Sequence, residues 1–141
     1  MRLGEIKAQA LMLMGVNNGL NISWSDIDTY KEDPSYATYI HAMNGAINRC
    51  MNRMYIAGAL SASPSNVMST SLEMTSMTEF SSDMTDTLAG MIPLYVVGDV
   101  FAMEEPSVAQ NMRNEFEQLL EEYLNKQAFP SQSEVDIVYG V

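Results

Sequence analysis

The sequence predicts a mainly α-helical fold: a small helical bundle with a Ser/Thr-rich loop or short strands in its middle and an extended C-terminal arm. Apolar residues recur at intervals of three and four in residues 2–15, 34–54 and 106–126, which is the spacing of one helix face. Residues 86–103 are the most apolar stretch, and their length favours a buried helix over a strand. We therefore predict a helical domain over residues 1–127 and an arm over residues 128–141.

Composition limits the class of protein. The chain has 141 residues, 47% of them hydrophobic, which is enough for one domain with a modest core. Its net charge of -11 excludes the basic surface typical of nucleic-acid-binding proteins, although an acidic wall lets a duplex slide past without adhering. Solubility is the plainer explanation of the same charge. No apolar run approaches the roughly 18 to 20 residues that a membrane crossing requires, so we predict no membrane partner.

The first helix is predicted over residues 2–15. Glu5 and Lys7 interrupt its apolar pattern, which is typical of an amphipathic helix and not of a signal peptide. Residues 20–33 are predicted to be a loop with a short turn or brief helix capped by Ser25, anchored on the core by Trp24. The apolar side of the first helix is expected to contain Leu3, Ile6, Ala10, Leu13 and Met14.

The second helix has the clearest pattern. Asp33 is expected to cap it, Pro34 suits its first position, and Gly58 lies where it should end. Cys50 is predicted to be a small core residue in a reducing compartment, since a lone cysteine forms no internal disulfide. The apolar stripe extends over about five turns. It consists of Tyr36, Ile40, Met43, Ile47, Cys50 and Met54.

The middle of the chain changes character. Residues 61–87 are rich in Ser and Thr, contain no Lys or Arg, and are predicted to form a loop or short strands. In the apolar stretch that follows, Pro93 must either begin the helix or kink it. Leu94, Val97 and Phe101 share one side of that helix, which Val96 and Val100 widen.

The last helix is predicted over about residues 106–126, with glutamates covering the side opposite its stripe. The arm that follows has an alternating pattern typical of a strand: Val135, Ile137, Tyr139 and Val141. Three interpretations stay open: strand addition to another chain, pairing with the middle segment of the same chain, or disorder. The stripe of the last helix consists of Ala109, Met112, Phe116, Leu119, Leu120 and Tyr123.

The residue types that carry catalysis are scarce. The chain has one His and one Cys, and on an ideal helix His41 lies on the side opposite Cys50. Phosphate-binding, dinucleotide-binding, zinc-binding and nucleophile-elbow motifs do not occur in the sequence. We therefore predict no enzyme, no catalytic residue, no cofactor and no metal site.

The side of the second helix opposite its stripe is unusual. An exposed helix face normally carries Lys and Glu, whereas this one has His41, Gly45, Asn48 and Asn52. A mid-helix glycine costs up to about 1 kcal/mol relative to alanine but permits close approach of another backbone. We interpret Gly45, Asn48 and Asn52, with Arg49 and Arg53 on the flank, as an interface with a subunit or partner. Arg49 and Arg53 suit pairing with the acidic last helix, in the same subunit or a neighbour; an ordinary exposed face is the alternative.

Four stretches of the sequence resemble parts of one protein family. They are MRLGEIKAQALMLM, DIDTYKEDPSYATYI, NGAINRCMNRM and IPLYVVGDVFAMEEPSVAQNMRNEFEQLLEEYL. The family comprises the small head-tail connector, or adaptor, proteins of tailed bacteriophages. The resemblance covers the first two helices and the block from Ile92 to Leu124, and it leaves out the Ser/Thr-rich middle and the arm.

The resemblance implies a structural protein of the virion neck, made in the host cytoplasm. Such adaptors form rings of about a dozen copies on the portal, extend the DNA channel and connect to the stopper or tail. The implied partners are further copies of the chain, the portal protein, a stopper or tail-completion protein, and genomic DNA that passes without sequence-specific binding. Two alternatives stay open: a stopper or tail-completion protein, and a small acidic helical binding module with no virion role.

Overall fold

The computed structural model describes residues 2–15, 23–34, 36–61, 80 and 84–128. The mainly α-helical fold is confirmed, and no strand occurs in this described part of the chain. The predicted loop or short strands at 62–79 and most of the predicted arm, 129–141, lie outside the described residues. The helices are, in chain order, α1 (Leu3–Met14), a 3-10 helix (Trp24–Glu32), α2 (Ala37–Ile56), α3 (Asp86–Val100) and α4 (Pro106–Ala128).

Helix α3 lies at the centre, and α1, α2 and α4 all pack against it. Leu94 and Val96 project from opposite sides of α3, and both are buried. A helix that is apolar on every side must be covered on every side, and this explains why three helices surround it. Thr85 caps the N-terminus of α3: its side-chain oxygen accepts a hydrogen bond of 3.2 Å from the backbone N–H of Leu88.

Of the two alternatives predicted for Pro93, one is excluded: Pro93 does not begin the helix, since it lies inside α3 and is buried. Since proline has no N–H, the ring leaves the carbonyl of Ala89 without its usual helical donor. The predicted loop over 61–87 also extends too far, because its last two residues, Asp86 and Thr87, already belong to α3.

Helix α1 packs against α3 and the 3-10 helix. Leu13, predicted to face the core, is 42% exposed, whereas Leu11 is fully buried. The two leucines are about 160° apart around the helix and lie on opposite flanks of the stripe, so the positions of the neighbouring helices decide which one is covered.

The 3-10 helix fixes the connection between α1 and α2. It begins at Trp24, after Ser23, so the predicted cap at Ser25 is wrong. Trp24 is half-buried with the guanidinium of Arg2 5.5 Å from its ring centre, and Ile27 is the fully buried residue of this segment.

A buried charge also joins α1 to the 3-10 helix. Lys7 is only 1% exposed, although in the sequence it interrupts the apolar pattern of α1. Its Nζ donates a hydrogen bond of 3.1 Å to Oδ1 of Asp28, whose side chain is 27% exposed. A buried ammonium requires such a partner, since its desolvation is otherwise uncompensated.

Helix α2 has the predicted stripe, and all six of its members are buried. The helix begins at Ala37, three residues later than predicted, because Tyr36 before it has non-helical backbone angles (φ -120°, ψ -16°). Tyr36 therefore takes the cap position that was predicted for Asp33. Gly58 ends it as predicted. Its φ of 89° lets the backbone N–H of Ala59 donate to the carbonyl of Met54 at 2.9 Å, which closes the last turn.

Helix α4 packs along α3. Ala109, Phe116 and Leu120 of the predicted stripe are buried, and the other three members are half-buried. The helix extends to Ala128. The Phe116 and Tyr95 rings meet edge to face with centroids 5.1 Å apart, which anchors the middle of α4 on α3.

Helices α3 and α4 approach each other closely at Gly98. A Cβ at this position lies only 3.2 Å from the carbonyl oxygen of Ala109 and from Cβ of Arg113. The guanidinium of Arg113 donates to the Gly98 carbonyl at 2.7 Å and so satisfies one of the free carbonyls at the end of α3.

We predict that Gly98→Ala destabilises the protein relative to Gly90→Ala on the same helix. The added methyl group at Gly98 forces the α4 backbone outward, which costs about 1 to 3 kcal/mol. Gly90 is exposed, and no neighbouring atom lies within 4 Å of the point that a methyl group would occupy there, so alanine raises stability by up to about 1 kcal/mol through helix propensity alone. Urea unfolding of both variants measures the difference, and equal midpoints contradict the tight α3–α4 contact.

We also predict that Asp28→Ala lowers the free energy of unfolding by about 1 to 3 kcal/mol, because it leaves the Lys7 ammonium buried without its carboxylate. Lys7→Met is expected to cost less, since the released Asp28 carboxylate is partly exposed and water can solvate it. Urea unfolding at pH 7 compares the two variants. A larger loss for Lys7→Met contradicts this order: Met keeps most of the apolar stem, so the loss would come from the released Asp28 carboxylate.

Candidate interaction surface

The face of α2 opposite its stripe is turned toward solvent, as the sequence predicted. His41 and Asn52 are exposed, and Gly45 and Asn48 are half-buried. These four residues form what we call the α2 outer face, and none of them is Asp, Glu, Lys or Arg. Near its C-terminal end the helix also exposes two large hydrophobic side chains, Tyr55 at 42% exposure and Ile56 at 73%.

Arg49 contacts its own chain. Its Nε donates to Oδ2 of Asp99 in α3 at 2.8 Å, and its Nη2 contacts the same oxygen. The sequence suggested pairing with the last helix, so the partner is corrected to α3. A Cβ at Gly45 lies 3.2 Å from Nη1 of Arg49, so this glycine leaves room for a guanidinium of the same chain. The Arg49 side chain is 58% exposed, and a pair this exposed contributes about 0 to 1 kcal/mol.

Arg53 joins α2 to α4. Its Nε and Nη2 donate to the two carboxylate oxygens of Glu117 at 3.1 and 2.7 Å, a bidentate arrangement that fixes the orientation of both groups. The predicted pairing with the acidic last helix therefore occurs for Arg53, within one subunit.

A third polar contact was not predicted from the sequence. The hydroxyl of Tyr39 in α2 donates a hydrogen bond of 2.6 Å to Glu104, in the turn between α3 and α4. This hydrogen bond raises the pKa of Tyr39, and burial and the negative charge of Glu104 add to the effect. The ring also meets Phe101 with centroids 6.1 Å apart, so the contact holds α2 to the end of α3.

Cys50 is fully buried, and burial raises the pKa of its thiol well above the usual range, with the charge of Glu117 adding to the shift. The neutral thiol is a poor nucleophile, and the arrangement suits packing. Within the described part of the chain, no three His, Cys, Asp or Glu residues lie together as a metal site. Among those same residues, no helix has both the length and the hydropathy to cross a bilayer.

The sequence interpretation missed a second amide-rich surface, on α4. Asn111, Asn114 and Gln118 lie on the side of the helix away from α3, and all three are exposed. Gln110 donates to Asn114 at 2.9 Å, and Gln118 donates to Glu122 at 3.4 Å, so part of this surface is ordered by contacts along the helix. The spacing of the amides could have indicated it, but the glutamates between them dominate the pattern.

The remaining predicted interface residues, Val135, Ile137, Tyr139 and Val141, lie outside the described residues, so their role stays a prediction. Comparisons of the chain with protein-family models, with characterised proteins and with solved structures find no significant match.

Proposed function

We propose that this protein is a structural component of a phage virion, a ring-forming head-tail adaptor that docks on the portal, extends the DNA channel and connects to the stopper or tail. The observation that carries the assembly role is the α2 outer face, which is uncharged although the chain has 18 acidic and seven basic residues. The resemblance of four sequence stretches to phage adaptors supports the virion assignment.

The chemistry of the α2 outer face suits contact with another protein chain. Buried charges are costly unless they are paired, whereas an amide both donates and accepts hydrogen bonds without leaving a charge in the contact. Arg49 and Arg53 already have carboxylate partners in the same chain. A neighbouring copy can therefore cover Asn48 and Asn52 without displacing an unpaired cation, and the exposed Ile56 adds apolar area.

The net charge supports a role around DNA. A ring of about a dozen copies at -11 each has on the order of a hundred negative charges. Such a wall repels the phosphates of a passing duplex and lowers adhesion to the channel. No catalytic step is part of this proposal, since the mechanism is assembly, and the alternating segment from Val135 to Val141 is proposed to pair with a neighbouring protein by strand addition.

A stopper or tail-completion protein is the first alternative, and a particle reconstruction distinguishes it from an adaptor by its position along the neck. A small acidic binding module is the other alternative, and its outer face would serve one soluble partner.

The first test places a charge on the α2 outer face. We expect Asn52→Arg to lower the number of copies per virion by about tenfold, because a buried guanidinium without a partner costs well over 1 kcal/mol. The matched control is Gln9→Arg, the same new charge at an exposed position of α1. Quantitative mass spectrometry of purified virions gives the copy number, and circular dichroism of the free variants checks that both fold.

Equal incorporation of the two variants contradicts an interface on the α2 outer face. Absence of the unmodified chain from virions refutes the adaptor proposal and favours the binding module.

The second test concerns the arm. A chain that ends after Gln132 retains all the described helices and is expected to keep the unfolding midpoint of the full chain. It is expected to be lost from virions, because the segment proposed to pair with a neighbour is missing. Thermal unfolding and virion mass spectrometry are compared for the two lengths. Normal incorporation of the shortened chain rules out a required arm.

A further inference from the structure

A groove runs beside α4 at the end of α2. Five residues line it, and its volume is about 280 Å³. Leu120 and Leu124 provide an apolar floor, with Leu120 only 1% exposed. The polar side chains that line it are Arg53, Glu117 and Glu121.

Of the two carboxylates that line the groove, one has an ion-pair partner among the described residues and the other has none. Both oxygens of Glu117 accept from Arg53 at 3.1 and 2.7 Å. Glu121, one helical turn further along α4, is exposed and forms no ion pair with any described cation. The groove therefore combines an apolar floor with one uncompensated negative charge at its edge.

The basic side chains that the structure describes are poorly placed to supply the missing cation. The segments outside the described residues contain no Lys or Arg at all. Lys126, the nearest basic residue along α4, lies about 140° around the helix from Glu121. The C-terminal segment 129–141 contributes only Glu134 and Asp136 as charged residues, so charge repulsion disfavours its insertion from a second copy.

We propose that this groove binds a Lys or Arg side chain presented by a different protein. The aliphatic stem of such a side chain packs mainly against the half-buried Leu124, since Leu120 is already almost fully covered. Its charged head lies beside Glu121 and within reach of the Glu117 carboxylate. Long basic side chains commonly bury their methylene groups on apolar surface while the charge contacts an acid or water. This inference stands on the groove alone and does not depend on the virion assignment.

The experiment is an NMR titration of the full-length protein with hexylammonium, which has both an apolar stem and a cation. We expect saturable changes in the backbone amide resonances of residues 117–124. Hexanoate, with the same stem and a negative charge, and ammonium chloride, with no stem, are expected to leave them unchanged at equal concentration. Saturable shifts with hexanoate, or hexylammonium shifts spread evenly over the exposed glutamates, overturn the proposal.

Matched variants of α4 test the residue assignment. Glu121→Gln is expected to weaken hexylammonium binding by about two- to fivefold, the effect of one exposed ion pair. Glu115→Gln removes an exposed carboxylate of the same helix that does not line the groove, and binding is expected to be unchanged. Equal weakening by both variants shows only a general effect of net charge and overturns the site.

A last comparison identifies the source of the cation. The pentapeptide acetyl-Ala-Leu-Lys-Leu-Ala-amide is expected to shift the same resonances, and its Gln analogue is not. Spermidine, a free polyamine, is expected to bind more weakly than the Lys peptide because charges along its stem disfavour the apolar floor. Tighter binding of spermidine at residues 117–124 overturns the assignment to a protein side chain.

Discussion

The bundle depends on α3 being covered on all sides. Its side chains are apolar around the whole circumference, so the other helices are arranged by the need to exclude water from it. Helices α1 and α2 contact each other little and meet mainly through α3 and the 3-10 helix. Each large side chain buried there contributes roughly 1.5 to 3 kcal/mol, and α4 adds its share through the close approach at Gly98.

The parts of the fold that were predicted correctly are those where periodicity is strong. The six-member stripe of α2 follows from the spacing of its apolar residues, and the buried α3 follows from the length of its apolar stretch. Neither pattern depends on which helix packs against it. Predictions failed where tertiary packing decides which side chains are buried. Leu11 and Leu13 lie on opposite flanks of the α1 stripe, and the positions of α3 and the 3-10 helix determine that Leu11 is the one buried. Lys7 was identified only as a charged residue that interrupts the apolar pattern, since a buried lysine is recognisable only when its acidic partner is near in space.

The residue types of the α2 outer face could be predicted from the sequence, whereas the contacts of the neighbouring arginines could not. The uncharged face of α2 follows from the sequence, because its residue types contrast with an acidic chain. The partners of Arg49 and Arg53 depend on which helix lies beside α2, which no local pattern encodes. The two arginines are already engaged within the chain, so any contact made by the remaining amides is neutral. Neutral contacts respond weakly to ionic strength, in contrast to the charged groove beside α4.

The central position of α3 also has a consequence for synthesis on the ribosome. Helices α1 and α2 emerge first, and until residues 86–100 follow they have little of their final apolar cover. The nascent N-terminal half is therefore a pair of marginal helices with exposed stripes, the type of species that chaperones bind. The segment between α2 and α3 must also be translated before α3 leaves the ribosome. Slow translation of this segment therefore prolongs the time during which the incomplete chain is prone to aggregation.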